Sequence, residues 1–353
     1  MQEILRIPPL IDPHVHFRTP GQEYKEDFDS GSRAALAGGV TTVLDMPNNL
    51  QLVTNMDLLC KKRDLAAAQS RCDIGFYLGT LGAEDQDFAS CIDYVYGLKI
   101  YMNKTTGGYV VSDSLKLDTI FKRWDFDKPI LVHAEGDTLS TAIKLAKKYD
   151  RRLHVCHVSL AKEVYEIERA KNKGGGRITC EVTPHHLFES SLWSADVFHQ
   201  MKPPLSKLLD MYTLWEALKI GIIDIVATDH APHIRAEKES NTPPSGVTGL
   251  ETTLPVLLMA ERVGEISLKR IGEVTHYNPM KIFGLPDEPN TYVYVLRDAP
   301  WEVHGEEFQT RSHLTPFEGR RVLDKVHKVT VRGNVVYEAG RVIAKPGSGK
   351  VLP

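Results

Sequence analysis

The sequence predicts an α/β fold, a closed (β/α)8 barrel of the TIM type that is followed by a C-terminal extension. Short apolar runs of strand length alternate with amphipathic runs of helix length, and this alternation produces eight strand candidates in succession. Repeated β-α units build parallel sheets, and eight of them within 353 residues favour closure into a barrel. No glycine-rich phosphate-binding turn follows the first strand, which argues against an open dinucleotide-binding sheet.

The elements follow one another along the chain with short connections. The strand candidates are residues 10–17, 40–46, 74–81, 97–102, 130–134, 153–158, 178–182 and 224–228. Helical patterns lie between them at residues 28–37, 56–69, 114–123, 138–148, 161–173 and 211–220. Two further helices, at residues 249–264 and 268–283, are predicted to close the barrel. Residues 103–112 and 235–246 carry turn-forming and polar residues and are expected to be exposed loops.

The residues after 285 differ in character from the barrel. They are rich in proline and contain strand-like pieces at residues 329–332 and 334–337, separated by Gly333. We therefore predict a barrel over residues 1–285 and a C-terminal extension over residues 286–353. The extension is expected to pack on the barrel or to form a small partial β-sheet.

Composition argues against several classes of function. The net charge of -3 gives no long-range attraction to nucleic acid or to an anionic membrane. The longest apolar runs are too short to span a bilayer, and the N-terminal residues lack the pattern of a signal peptide. The five cysteines show no C-x-x-C spacing and are expected to be free thiols, which predicts a cytoplasmic protein.

The first predicted strand carries the most informative motif, DPHVHFR at residues 12–18. His14 and His16 are two residues apart and therefore point to the same face of a strand, where both imidazoles can reach one metal ion. Arg18 shares that face and could hold an anionic substrate beside the metal. Two histidines on a strand can also be plain polar side chains, so this motif alone leaves the metal site open.

The ends of the other predicted strands favour the metal site. Active sites of (β/α)8 barrels form at the C-terminal ends of the strands, and most of the 14 histidines lie at or just after those ends. Imidazole and carboxylate ligands suit Zn2+. Two ions are expected, because one tetrahedral ion does not take all of the five ligands His14, His16, His133, His157 and Asp229.

Lys99 lies in the fourth predicted strand between apolar residues. An unmodified ammonium that faces two cations would be repelled. A lysine carboxylated by CO2 carries an anionic carbamate, which can bridge two ions. The alternative is an exposed lysine on a loosely defined strand.

Together these motifs resemble those of dihydroorotases in the amidohydrolase superfamily. The resemblance runs in order over nearly the whole chain, through HVHFR at 14–18, GLKIY at 97–101, HAE at 133–135, CHV at 156–158, PHH at 184–186, TDHAPH at 228–233 and PFEG at 316–319. Arg18, Asn48 and His233 narrow it from the superfamily to dihydroorotases, and would hold the substrate carboxylate. The resemblance implies two zinc ions per subunit, held by His14, His16, carboxylated Lys99, His133, His157 and Asp229.

The resemblance also implies contacts around the substrate. Thr105, in a Thr-Thr-Gly-Gly segment similar to the mobile lid of the family, is expected to contact substrate, with an ordinary surface turn as the alternative. Lys202 and the backbone of Gly246 are expected to line the pocket. Near Lys202 the chain departs from a common family pattern, because Ser206 stands where that pattern has arginine.

Three further assignments have structural alternatives. Cys156 and Glu181 could bind a third metal as in some relatives, but strand alternation turns Cys156 away from His157 and favours a packed thiol. The neighbouring pair at residues 185 and 186 is expected to support ligands or structure rather than to bind metal. The residues that could engage Arg18 in a purely structural ion pair are Asp45 and Asp27.

The implied reaction is the reversible hydrolysis of a cyclic amide, between (S)-dihydroorotate and N-carbamoyl-L-aspartate, in pyrimidine biosynthesis. A hydroxide between the two zinc ions would attack the amide carbon, with Asp229 as general acid and base. One alternative is a related cyclic amidase, either a dihydropyrimidinase/hydantoinase or an allantoinase, whose substrates lack the carboxylate. Another is a non-catalytic scaffold for aspartate transcarbamoylase. A homodimer and a complex with aspartate transcarbamoylase are the expected assemblies.

Overall fold

The structure is a computed structural model, and it describes residues 3–172, 174, 177–194 and 196–353. The strands are β1 (Ile4–Ile7), β2 (Leu10–Val15), β3 (Val40–Asp45), β4 (Asp73–Phe76), β5 (Leu78–Gly79), β6 (Leu98–Tyr101), β7 (Ile130–His133), β8 (Leu153–Val155), β9 (Ile178–Val182), β10 (Ile225–Val226), β11 (Tyr292–Leu296), β12 (Trp301–Glu302), β13 (Arg321–Val322), β14 (Lys325–Val331), β15 (Asn334–Glu338) and β16 (Arg341–Val342). The helices are α1 (Phe28–Ala37), α2 (Met56–Gln69), α3 (Ser114–Arg123), α4 (Asp137–Tyr149), α5 (Ala161–Asn172), α6 (Pro184–Phe188), α7 (Leu208–Ile220), α8 (Arg235–Lys238), α9 (Thr253–Arg262), α10 (Leu268–Gly272) and α11 (Asn278–Phe283).

Parallel strands form the predicted barrel. The strands β2, β3 and β4 pair in one sheet, and β5 to β10 pair in order in the next. Only Tyr77 separates β4 from β5, so these two short strands occupy one position of the ring. The ring closes where Val15 pairs in parallel with His230, and where the backbone amide of His16 donates to the carbonyl oxygen of His230 at 2.8 Å. The (β/α)8 prediction is therefore confirmed.

Local chemistry explains where the outer helices begin. Asp27 caps α1, because its side chain accepts from the backbone of Ser30 while the Ser30 hydroxyl accepts from the backbone of Asp27. The side chains of Asp113 and Asn55 accept from backbone amides at the starts of α3 and α2. The barrel strands are buried on both faces, as parallel strands between a packed interior and a layer of helices must be.

The predicted helices at residues 28–37, 56–69 and 114–123 have the predicted bounds. The helix predicted for residues 161–173 ends at Asn172, and Lys173 lies outside the described residues. The single helix predicted for residues 268–283 is wrong in detail, because a π-helical turn at Glu273–Tyr277 separates α10 from α11. The exposed loop predicted for residues 235–246 begins with the short helix α8. The polar composition of that segment conceals this turn of helix.

The C-terminal residues form an antiparallel sheet with the N-terminus. The strand order is β1-β11-β14-β15-β16, so Ile4–Ile7 joins the sheet of the tail rather than the barrel. Arg332 and Gly333 make the tight turn between β14 and β15 with φ values of 50° and 80°, as a two-residue hairpin turn requires. The division of the chain at residue 285 into two domains remains a prediction.

The tail also crosses the end of the barrel where the parallel strands terminate. The side chain of Glu26 accepts hydrogen bonds from the Thr310 hydroxyl and from the backbone of Arg311 at 3.2 Å. Nε2 of His199 donates to the carbonyl oxygen of Pro316 at 2.9 Å. This segment therefore braces the loops that surround the strand ends. In the part of the chain that the structure describes, every helix is too short or too polar to cross a membrane.

Candidate metal and anion site

The histidines of the first barrel strand converge on Asp229. His14 and His16 are 1% and 7% exposed, and their rings are centred 5.3 Å apart. Oδ1 of Asp229 lies 3.2 Å from Nε2 of His14 and 3.0 Å from Nε2 of His16. The carboxylate after β10 and the two imidazoles at the end of β2 therefore face a common point, because strands 1 and 8 of the barrel are neighbours.

The histidines of the fifth and sixth barrel strands complete the cluster. Nδ1 of His133 lies 2.9 Å from Nε2 of His157, and the rings of His14 and His157 are centred 5.4 Å apart. One ligand atom each of His14, His157 and Asp229 lies within 4.8 Å of the other two, a spacing that fits a shared metal ion. Nδ1 of His157 is buried and has no hydrogen-bond partner among the residues that the structure describes.

Lys99 lies beside this cluster, as the second residue of the fourth barrel strand, β6. Its side chain is fully buried, and Nζ donates to Sγ of Cys156 at 3.0 Å. Among the described residues, no carboxylate oxygen lies within ion-pair distance of Nζ, so the ammonium is buried without a counter-charge. The alternative of an exposed lysine is wrong.

A second group of ligand atoms lies deeper in the barrel. His14, Cys156 and Glu181 each offer a ligand atom within 4.8 Å of the other two. Glu181 is fully buried, and its carboxylate contacts Nδ1 of His14 and, at 2.9 Å, Nε2 of His154. Cys156 is therefore a buried thiol that also reaches possible metal partners. His154 was missed by the sequence analysis, although it lies two residues before Cys156 and thus on the same strand face.

The charges of the cluster suit a divalent cation. Burial opposes ionisation of Asp229 and Glu181, but the surrounding histidines together outweigh it and hold the pKa of both carboxyl groups well below the ordinary value, with His14 contributing to both. Burial would lower the pKa of His14, yet Glu181 and Asp229 raise it to about 10. Burial lowers the pKa of His157 well below its usual value and that of His16 to about 4. The ionised carboxylates and the neutral imidazoles of His16 and His157 are donors that Zn2+ takes, and a bound cation would displace the proton that the carboxylates hold on His14, so the residues fit the expected metal.

Arg18 is buried near the histidine cluster, and no carboxylate of the described residues pairs with it. It is 5% exposed, Nε donates to the carbonyl oxygen of Pro232 at 3.2 Å, and Nη2 lies 3.2 Å from Nε2 of His233. Asp45 instead pairs with Lys62 at 2.7 Å, and Asp27 pairs with Arg311. Among the described residues, no acidic side chain within 4.0 Å therefore neutralises the guanidinium.

Asn48 and His233 contact different members of the site, since Asn48 meets His16 and His233 meets Arg18. Oδ1 of Asn48 lies 2.6 Å from Nδ1 of His16, so Asn48 orients the imidazole of that residue. Nδ1 of His233 lies 3.0 Å from Oε2 of Glu237, one turn along α8. Burial, together with the charge of Arg18, lowers the pKa of His233, so its ring is neutral.

Thr105, Lys202 and Gly246, which were predicted to contact the substrate, differ in their surroundings. In the Thr-Thr-Gly-Gly segment, Thr106 rather than Thr105 reaches across the site, where its hydroxyl donates to the carbonyl oxygen of Ser245 at 3.0 Å. Lys202 is exposed, and the backbone amide of Gly246 donates to the carbonyl oxygen of Gln200 at 3.0 Å. The substrate contacts predicted for Thr105, Lys202 and Gly246 remain predictions.

Gly246 and the two consecutive histidines have structural explanations. Gly246 has φ +142°, and a Cβ there would lie 2.4 Å from the carbonyl oxygen of Ala231, so no other residue fits. The ring of His186 is satisfied by the Thr183 hydroxyl at 2.7 Å and by the carbonyl oxygen of Pro203 at 3.2 Å. Nε2 of His185 is buried, and no described residue forms a hydrogen bond with it.

Several known proteins resemble this chain in sequence and in fold. Residues 6–288 match the Amidohydrolase family. The chain is 41% identical over 358 residues to the multifunctional protein CAD of Squalus acanthias, in a match that covers 99% of this chain but only 16% of that protein. It is 37% identical to a dihydroorotase of Halobacterium salinarum, with 97% of this chain and 88% of that protein covered. Among solved structures, L-hydantoinase from Arthrobacter aurescens superimposes with a TM-score of 0.92 at 25% identity, covering 98% of this chain and 88% of that one.

Proposed function

The chain belongs to the amidohydrolase family, and we propose that it is a dihydroorotase, an enzyme that interconverts dihydroorotate and carbamoyl aspartate. The observation that carries this proposal is the buried guanidinium of Arg18, which lacks a carboxylate partner among the described residues and lies beside the histidine cluster. A planar guanidinium binds a carboxylate through two parallel hydrogen bonds. Dihydroorotate carries a carboxylate next to the amide that is cleaved, so one pocket can bind the charge and cleave the ring.

The metal part of the proposal assigns two zinc ions to His14, His16, His133, His157, Asp229 and a carboxylated Lys99. The buried ammonium of Lys99 supports the modification, because a carbamate replaces an uncompensated positive charge by a negative one at a site built for cations. Zinc ions, when bound, lower the pKa of water and polarise the amide carbonyl. A third ion at His14, Cys156 and Glu181 is not part of the proposal, because the Glu181 carboxylate already contacts His14 and His154 and the Cys156 thiol accepts from Lys99.

The side chains perform the remaining steps of the reaction. Arg18 binds the substrate carboxylate, with Asn48 and His233 beside it, and thereby orients the ring amide toward Asp229. Asp229 takes a proton from the attacking water as the new carbon–oxygen bond forms. The same proton then passes to the ring nitrogen as the carbon–nitrogen bond breaks, and the reverse sequence closes the ring.

A substrate comparison tests this proposal against the related cyclic amidases. The purified protein, supplied with zinc and bicarbonate, is assayed on dihydroorotate, dihydrouracil, hydantoin and allantoin while bound zinc is counted. We expect turnover of dihydroorotate with a kcat/KM at least about a hundred times that of the three rings without a carboxylate, since a buried charge left unpaired costs several kcal/mol. Faster hydrolysis of hydantoin or allantoin would favour the alternative that the likeness to L-hydantoinase suggests. No turnover of any ring by zinc-loaded protein would favour the non-catalytic scaffold.

A separate test addresses the modified lysine. Protein prepared in 13C-bicarbonate is expected to give a carbamate carbon resonance that is absent from the Lys99→Arg variant, because a guanidinium does not form this adduct. Zinc binding should fall in the same variant. An unchanged spectrum in the two proteins would remove the carbamate from the proposal.

The assembly of the protein belongs to the proposal as well. A chain that aligns with one segment of a multifunctional protein suits a complex with other enzymes of the same pathway, including an aspartate transcarbamoylase. We propose a homodimer in the cytoplasm as the working form. Light scattering of the purified protein, alone and with the transcarbamoylase, distinguishes these assemblies.

A further inference from the structure

Lys238 is a buried ammonium that the proposed reaction does not use. Its side chain is 2% exposed, and Nζ donates to the carbonyl oxygens of Gln200 at 3.0 Å and Pro244 at 3.2 Å. Among the described residues, no carboxylate oxygen lies within ion-pair distance of this nitrogen. Asp196, whose charge favours the ammonium, is itself bonded to Nδ1 of His199 at 2.7 Å. An unpaired buried charge is costly, and such a charge persists where an anionic ligand completes it.

Lys238 belongs to the same charged group as Arg18. Burial and then the charge of Arg18 lower the pKa of Lys238, and burial together with the charges of Arg18, Lys25 and Lys238 lowers that of His233. Lys25 is paired with Glu237 at 3.1 Å, whereas Arg18 and Lys238 have no carboxylate partner among the described side chains. Two positive charges therefore remain uncompensated around the neutral ring of His233.

Lys238 also stabilises the turn at residues 244–246, which lies beside His233. The carbonyl oxygen of Gln200 accepts from both Nζ of Lys238 and the backbone amide of Gly246. The carbonyl oxygen of Ser245, between the two residues that these bonds fix, lies 3.2 Å from Nε2 of His233 and accepts from the Thr106 hydroxyl. The lysine thus fixes the turn at residues 244–246, on which the Thr106 segment rests.

Resting on the function proposed above, we propose that Lys238 is a specificity-determining residue for the substrate carboxylate. Its buried charge reinforces that of Arg18 without touching the substrate. Its two hydrogen bonds hold the turn at residues 244–246 against His233. Removal of the charge should therefore weaken binding of an anionic ring much more than binding of a neutral ring of the same shape.

The test compares orotate with orotamide, in which a carboxamide replaces the carboxylate. Dissociation constants for both are measured by calorimetry on zinc-loaded wild-type protein and on Lys238→Met, Lys238→Gln and Lys238→Arg. Lys144→Met removes an exposed lysine on α4 and serves as the matched control. We expect both neutral variants to weaken orotate binding at least tenfold and orotamide binding less than threefold. Lys238→Arg should recover most of the orotate affinity, and the control should change neither ligand.

Several results would overturn the proposal. Equal weakening of both ligands, or a Lys238→Arg variant as weak as Lys238→Met, would reduce the lysine to a structural role. Failure of both neutral variants to fold would lead to the same conclusion. Equal binding of the two ligands by the wild-type protein would mean that no anion subsite exists. If the wild-type protein binds orotate preferentially but does not turn over dihydroorotate, the proposed function fails, while the inference about Lys238 is still decided by the binding ratios.

Discussion

Individual residues of the site adopt strained backbone conformations that the sequence does not reveal. Arg18, His157 and Asp229 have φ values of 59°, 38° and 48°, in the left-handed region that residues with a side chain seldom occupy. Such strain persists only where the surroundings over-determine the conformation, as they do at active sites. The sequence predicted these residues from their place at strand ends. Their backbone conformations could not be predicted, because they depend on closure of the barrel.

The role of Asp229 is tested by Asp229→Asn, which keeps the shape of the side chain and removes its basicity. We expect kcat for dihydroorotate to fall by roughly 10²–10⁴-fold, because general acid–base catalysis contributes on that scale. The melting temperature should stay close to that of the wild type, and at least one zinc ion should remain bound. Activity near that of the wild-type protein would remove Asp229 from the proton transfer.

The buried ammonium of Lys238 should make the free energy of unfolding depend on pH in the alkaline range. Burial and Arg18 lower its pKa from 10.5 to about 8, and Asp196 and the neutral ring of His233 are the other titratable groups nearby. Between these two values the unfolded chain binds more protons at this site than the folded protein does, so stability rises with pH. Wild-type protein should therefore gain up to roughly 3 kcal/mol relative to Lys238→Met as the pH rises from about 8 to about 10.5.

Denaturant unfolding of the two proteins across this pH range measures that difference. The comparison cancels the titration of the other groups, which both proteins share. A constant difference in the free energy of unfolding would show that the ammonium of Lys238 titrates as an ordinary exposed lysine does.

At the scale of elements, the strand ends account for most of the predicted site. Apolar runs of strand length are enough to place His14, His133 and His157 at the same end of the barrel, because parallel strands all end on one face. The short helix α8 was not predicted, and the roles of Glu237 and Lys238, which lie in it, were therefore not predicted either. The spacing of four residues between His233 and Glu237 is the signal that could have revealed this helix.

The segment after β6 is expected to act through its anchor at Tyr109. The single hydroxyl proton of Tyr109 is shared between the carbonyl oxygens of Leu50 at 2.6 Å and Asn49 at 3.0 Å, next to the Asn48 that contacts His16. Tyr109→Phe loses these bonds, and a hydrogen bond contributes about 0.5–1.5 kcal/mol. We expect KM for dihydroorotate to rise about two- to tenfold with bound zinc unchanged.

Tyr165→Phe is the matched control, because Tyr165 is 60% exposed on the outer helix α5. Steady-state kinetics of both variants measures the effect. If the two variants have the same KM as the wild type, the Tyr109 contacts do not close the segment over the substrate.

At the scale of the whole molecule, the tail and the barrel share one apolar core. The sequence predicted strands in the tail, yet not that Ile4–Ile7 pairs with Tyr292–Leu296, because contacts between residues so distant along the chain leave no local pattern. Val293 of β11 is fully buried in the same apolar cluster as the barrel helices, and a Cβ on Gly39 would lie 3.1 Å from its methyl groups. The tail therefore contributes to the stability of the barrel that holds the site.

Val293→Ala tests this joint core. We expect the free energy of unfolding to fall by about 2 kcal/mol, through lost burial and the cavity that remains. A single cooperative transition should persist in both circular dichroism and the loss of activity. Val335→Ala, at a valine that is 36% exposed on β15, should change stability by less than about 0.5 kcal/mol. Separate transitions for the tail and for activity would show that the tail folds independently.

Recognition of the substrate carboxylate by Arg18 is decided by kcat/KM of Arg18→Ala on dihydroorotate and on dihydrouracil, with zinc content determined in parallel. Removing one partner of a buried charge pair costs about 2–5 kcal/mol, so the account predicts a loss of at least about thirtyfold on dihydroorotate. It predicts a change of less than threefold on dihydrouracil, which has no carboxylate for Arg18 to bind. An equal loss on both rings at unchanged zinc content would contradict the claim that Arg18 recognises a substrate carboxylate.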